Sequence, residues 1–94
     1  MNSTVKHQNI LSYISKLQLP LKKRNNELYV AYFDFQVSLI QKELDSWFEM
    51  TKNELLDFLK SRSVDKEVDE ALVNKKLHDA GITSEDTFYV HFHV

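Results

Sequence analysis

The chain of 94 residues has no cysteine, a single glycine and a single proline. Without cysteine there can be no disulfide framework and no thiolate metal site, a composition that fits a reducing cytosol. No stretch reaches the roughly 18 consecutive apolar residues of a membrane span, and the first residues lack a signal core. Membrane insertion and secretion are therefore not expected, and the expected location is the cytoplasm. With one glycine a phosphate-cradling loop is hard to build, and no Walker loop, GxGxxG or GxSxG occurs. These absences argue against the common nucleotide-binding and hydrolase classes.

What is present is globular in character. Hydrophobic residues make up 43% and aromatics 12%, enough for one core, and the length suits one domain over residues 1–94. Such a chain buries about 65% of its open-chain surface on folding. The net charge of −2 conceals an asymmetry. Residues 1–26 carry five bases (Lys6, Lys16, Lys22, Lys23, Arg24) and no acid, whereas the remainder carries all fourteen acids. Such a division suits a basic arm for nucleic acid, an acidic surface for a basic partner, or mutual attraction within the fold.

Periodicity predicts a first helix over residues 3–18, capped by Ser3 or Thr4, with Ile10, Ile14 and Leu17 on one stripe. Pro20 is expected to stop it. Asn25-Asn26 reads as a turn. Ala31, Phe33, Phe35 and Val37 then alternate with Val30, Tyr32, Asp34 and Gln36, which predicts a strand over 28–37. Val30, Phe33, Val37, Ile40, Leu44 and Trp47 also fit a helical stripe, so a long helix from about residue 27 to 61 is the rival reading. Residues 38–62 are predicted helical, with capping boxes at Ser38/Gln41 and Thr51/Glu54. A last helix is predicted over 65–80, ended by a left-handed cap at Gly81. Phe88, Val90 and Phe92 alternate with Tyr89 and His91, predicting a strand over 87–94 that joins residues 28–37 or a second subunit. The fold expected is α+β, ordered α-β-β-α-α-β, with about three antiparallel strands packed by three to four helices.

Candidate chemistry is sparse. His91 and His93, two apart on a strand, share a face and suit zinc in spacing, but no third ligand is dictated, so no metal and no cofactor is expected. The acid pairs Asp69-Glu70 and Glu85-Asp86 read as solvated helix-start residues, and no catalytic residue is assigned. A helix-turn-helix over residues 52–80 would present Asp65, Glu67, Asp69 and Glu70 to phosphate, which opposes DNA binding.

The expected function is a small non-catalytic protein-binding module of inhibitor, immunity or regulatory type, by analogy of size and charge. Its expected contact residues are Asp65, Glu67, Asp69 and Glu70, which would steer a basic protein partner, and Tyr29 and Tyr32 as anchors. Two other classes stand beside it. One is a nucleic-acid-associated regulator using Lys22, Lys23 and Arg24; the other is a homo-oligomeric structural protein, with a homodimer as its simplest form.

Overall fold

A computed structural model describes residues 10–12, 17–23, 25, 27–33, 35, 37–43, 46–64 and 67–92. In chain order the elements are β1 (Ile10–Ser12), β2 (Leu17–Lys23), β3 (Leu28–Phe33), β4 (Ser38–Ile40), a 3-10 turn (Gln41–Glu43), β5 (Phe48–Thr51), α1 (Lys52–Arg62), α2 (Glu70–Asp79) and β6 (Thr87–Val90). The main sheet has four antiparallel strands in the order β3-β2-β6-β5, and β1 pairs with β4 in a separate two-stranded ladder.

The architecture is α+β, but its order and helix content correct the sequence reading. The described residues hold two α-helices, not three to four, and the sheet has four strands rather than three. Within the predicted first helix, residues 10–12 and 17–18 lie in strands, while residues 3–9 and 13–16 fall outside the described residues. Leu17, Leu19 and Leu21 alternate with Gln18, Pro20 and Lys22, a period of two that competes with the helical stripe. Long-range pairing with β3 and β6 decides the contest. The long helix from residue 27 is likewise absent, since Leu28–Phe33 and Phe48–Thr51 are strands. Among the described residues of the predicted 38–62 helix, only Lys52–Arg62 are α-helical, and the Ser38/Gln41 capping box is replaced by β4 running into the 3-10 turn.

Pro20 lies inside β2 without breaking it. Backbone N–H and C=O of one strand residue point the same way, and the Pro20 carbonyl accepts from the His91 amide at 3.2 Å. The missing N–H of Pro20 therefore faces β6 at the point where that ladder ends, and costs nothing toward β3. Lys23 N–H donates to the Glu27 carbonyl at 3.0 Å and closes the β2–β3 connection around Asn25.

One face of the sheet is dry. Leu19, Leu21, Ala31, Phe33, Phe88, Val90 and Met50 lie on it and are buried against Leu55, Leu56 and Leu59 of α1 and Val73 and Leu77 of α2. The two helices thus form a second layer, which gives the sheet's apolar side its cover. Thr51 is both the last residue of β5 and the N-cap of α1. Its hydroxyl accepts from the Glu54 amide while the Glu54 carboxylate accepts from the Thr51 amide at 2.8 Å, the predicted capping box.

Helix α2 begins at Glu70 because the Asp69 carboxylate accepts from the Leu72 amide and caps it, so the predicted start at residue 65 moves forward. Its end follows the sequence reading. Gly81 has φ +78°, its amide donates to the His78 carbonyl, and the Ile82 amide donates to the Leu77 carbonyl. Of the predicted strand at 87–94, Thr87–Val90 is observed as β6, and it pairs with β2 and β5 rather than with residues 28–37; of the strand predicted over 28–37, Leu28–Phe33 is observed as β3. Residues 93 and 94 lie outside the described residues.

Candidate functional site

The other face of the sheet carries no helix among the described residues. Alternation places on it the side chains that the dry face rejects, and the strand register arranges them in rows. Leu28 of β3 lies beside Lys22 of β2, then Tyr89 of β6, then Glu49 of β5. Continuing each register by one residue gives a second row: Val30, Pro20, His91 and Trp47. Trp47 and His91 stack with ring centroids 4.9 Å apart. Tyr32, opposite Gln18, extends the surface along β3.

Among the described residues, this face gathers most of the exposed apolar side chains. Six large hydrophobic residues of the described set stand in solvent; five of them, Leu28 (62% exposed), Val30, Tyr32 (51%), Trp47 (48%) and Tyr89, are on this side, and the sixth is Val64. Contiguous exposed apolar surface of this kind marks interaction sites in folded proteins. Among the described residues its charges are one base, Lys22, and one acid, Glu49, so these give the face no strong field of either sign.

The sequence-predicted contact residues do not meet on one surface. Tyr32 lies on the open face. Tyr29, three positions earlier on the same strand, turns to the helix side, is half-buried, and donates its hydroxyl to Glu27. That hydrogen bond, with burial and the Glu27 charge added, raises the phenol's pKa. Glu67 and Asp69 are exposed residues preceding α2, in the helix layer, with Asp69 engaged as its cap. Glu70 pairs with Lys60 of α1. Asp65 lies outside the described residues.

Of the basic cluster, Lys22 is on the open face. Lys23 is occupied elsewhere: its ammonium contacts the Asp86 carboxylate at 3.3 Å and donates to the Gly81 carbonyl at 3.0 Å. Arg24 lies outside the described residues.

No catalytic constellation is assembled among the described residues. The acid pair Glu85-Asp86 lines a cleft of about 130 Å³ with Lys23 and Thr87, below the roughly 300–1,000 Å³ of most ligand sites. Asp86 accepts from the Thr83 amide at 2.8 Å, and this bond, joined by Lys23 and opposed by burial, holds its carboxyl below the usual range. Among the described residues no group of three or more His, Cys, Asp or Glu side chains could hold a metal ion. His93 lies outside them, and no described helix is long and apolar enough to cross a membrane.

Tyr89, like Tyr29 and Tyr32, stands out in the sequence as an aromatic on a predicted strand, whereas Leu28, Val30 and Trp47 of this surface do not. Val30 and Tyr89 occupy wet positions of strands β3 and β6, so an aromatic or β-branched residue there is itself the signal. Trp47 was hidden by the helix predicted over 38–62. No protein family matches the chain, and neither the curated proteins nor the solved structures yield a match.

Proposed function

We propose that the chain is a small non-catalytic protein-binding module whose contact surface is the open face of the four-stranded sheet. The observation that carries this reading is the concentration of Leu28, Val30, Tyr32, Trp47 and Tyr89, exposed, on that one side. Tyrosine and tryptophan supply large contact area at small conformational cost, and residues of this kind dominate the energetics of protein interfaces. The partner in view is a protein that lays an apolar surface across the two rows and matches Lys22 with an acid and Glu49 with a base. The weak field of the face favours this over nucleic acid, which is held chiefly by clustered bases. Exposed Glu67, beside the start of α2, would act at longer range by steering a basic partner.

The test is affinity capture from the native cell with the wild type and two variants. Trp47→Ser combined with Tyr89→Ser should lose the partner while circular dichroism and melting stay those of the wild type. Glu67→Gln should retain the partner but bind more slowly at low salt. Full retention by the sheet-face variant would overturn the reading, and so would retention of RNA or DNA that depends on Lys22.

A further inference from the structure

We infer that two copies of this chain pair through β3, antiparallel and about a two-fold axis at Val30, to form one continuous eight-stranded sheet. This goes beyond the reading above because the contact is made by the backbone edge of β3, with the open-face side chains of Leu28, Val30 and Tyr32 meeting at the seam.

The direction of the backbone groups follows from the register. Lys23 N–H reaches the Glu27 carbonyl, and the Pro20 carbonyl receives the His91 amide, so odd-numbered residues of β2 address β3 and even-numbered ones address β6. On β3, residues 29, 31 and 33 therefore hydrogen-bond to β2. Leu28, Val30 and Tyr32 aim their N–H and C=O groups outward, and among the described residues no strand lies along that side.

The two outer edges of the sheet differ in a way that selects β3. On β5, the four-residue strand carries a charge at Glu49, and the outward amide of Thr51 is taken by the Glu54 carboxylate. Short length, a charge and a closed amide are the usual protections of an edge. β3 runs Leu28-Tyr29-Val30-Ala31-Tyr32-Phe33, with no charge and no proline. A strand of this kind is a template for another strand.

A second copy is the occupant that fits this edge without any further assumption. With the axis at Val30, Leu28 faces Tyr32 of the other copy, Val30 faces itself and Tyr32 faces Leu28. Every outward donor then meets an outward acceptor, which is the self-complementarity an isologous contact requires. The three side chains concerned share the open face, so Leu28–Tyr32 and Val30–Val30 become cross-strand apolar neighbours. A net charge of only −2 opposes self-association weakly. Pairing of one strand edge falls at or below the low end of specific interfaces, about 1,200 Å² in total, so the dimer is reversible and concentration-dependent.

The absence of cysteine makes the test clean. Residues paired by both hydrogen bonds across an antiparallel ladder have Cα atoms about 5.5 Å apart, within disulfide range. Val30→Cys should therefore cross-link to itself under mild oxidation. Leu28→Cys alone should cross-link at least tenfold more slowly, because its own counterpart lies four residues away, about 13–14 Å. A mixture of Leu28→Cys and Tyr32→Cys chains should cross-link as readily as Val30→Cys. Sedimentation velocity on the unmodified chain should show a monomer–dimer shift with concentration, removed by Val30→Pro, which deletes an outward donor and leaves the β2 ladder whole. A wild-type chain that stays monomeric over the whole concentration range would overturn the inference. So would Leu28→Cys cross-linking as fast as Val30→Cys, which would place the contact elsewhere.

Discussion

Arg62 grips Glu43 with both arms of its guanidinium, Nη1 to Oε1 at 2.8 Å and Nη2 to Oε2 at 3.0 Å. Glu43 is only 7% exposed and accepts a third bond from the Ile40 amide, while Arg62 also donates to the Ser38 carbonyl and lies over the Phe58 ring. The last turn of α1 is thereby fastened to β4 and the 3-10 turn. An arginine fork suits this task better than a lysine, since two parallel bonds fix orientation as well as distance.

Removing the guanidinium leaves a buried carboxylate with one donor. Arg62→Ala should destabilise the fold by about 2–3 kcal/mol, measured by urea denaturation. Arg62→Lys should recover only part of that loss. A change below about 0.5 kcal/mol for Arg62→Ala would show that the pair contributes nothing net.

Acid should weaken the fold through the same pair. Burial works against the Glu43 charge, yet Arg62, the Ile40 amide and Lys42 together hold its carboxyl below the ordinary 4.5, and Asp86 is likewise held below 3.8. Both groups have folded values depressed relative to the unfolded chain. Their contribution is complete above the unfolded values and is lost as pH falls through the folded ones. The urea midpoint should drop between pH 5 and 3, and Glu43→Gln, weaker at pH 7, should lose less over that interval.

Gly81 provides a backbone test. With φ at +78° and no atom within 4 Å of an added Cβ, strain and not crowding sets the penalty. Gly81→Ala should cost about 1 kcal/mol and Gly81→Asn less, read from thermal melting.

Pro20→Ala tests the account of β2. The new amide faces His91 across the β2–β6 ladder, where it can donate to that residue's carbonyl. Gain of that bond and loss of proline's rigidity oppose each other, so stability should stay within about 1 kcal/mol of the wild type. A large loss would mean that the proline ring itself, buried on the open face, holds the sheet together.

How much was legible depended on how far apart the deciding residues lie. Local signals are readable: the Thr51/Glu54 box, the cap at Gly81, and the alternation within Leu28–Phe33 and Thr87–Val90 all depend on residues within a few positions. The Leu17-Leu19-Leu21 alternation of β2 surrounds a proline, and only β6, some seventy residues on, shows that the missing donor lies where that ladder ends. Trp47 and Phe48 were assigned to a helix because their spacing fits one, while pairing of Phe48 with Val90 and Met50 with Phe88 overrides that preference. Tyr29 and Tyr32 were grouped as one surface although alternation along a strand separates residues three apart. That error lay in the use of the pattern and not in the sequence.

The position of β6 also bears on how the molecule is made. Though last in chain order among the described elements, it sits between β2 and β5, so neither neighbour can complete its hydrogen bonding until synthesis has passed Val90. On the ribosome the first half of the protein must wait with two incomplete strands, an interval in which chaperones or wrong partners compete for them. The strand order thus makes completion of the sheet a late, C-terminal event.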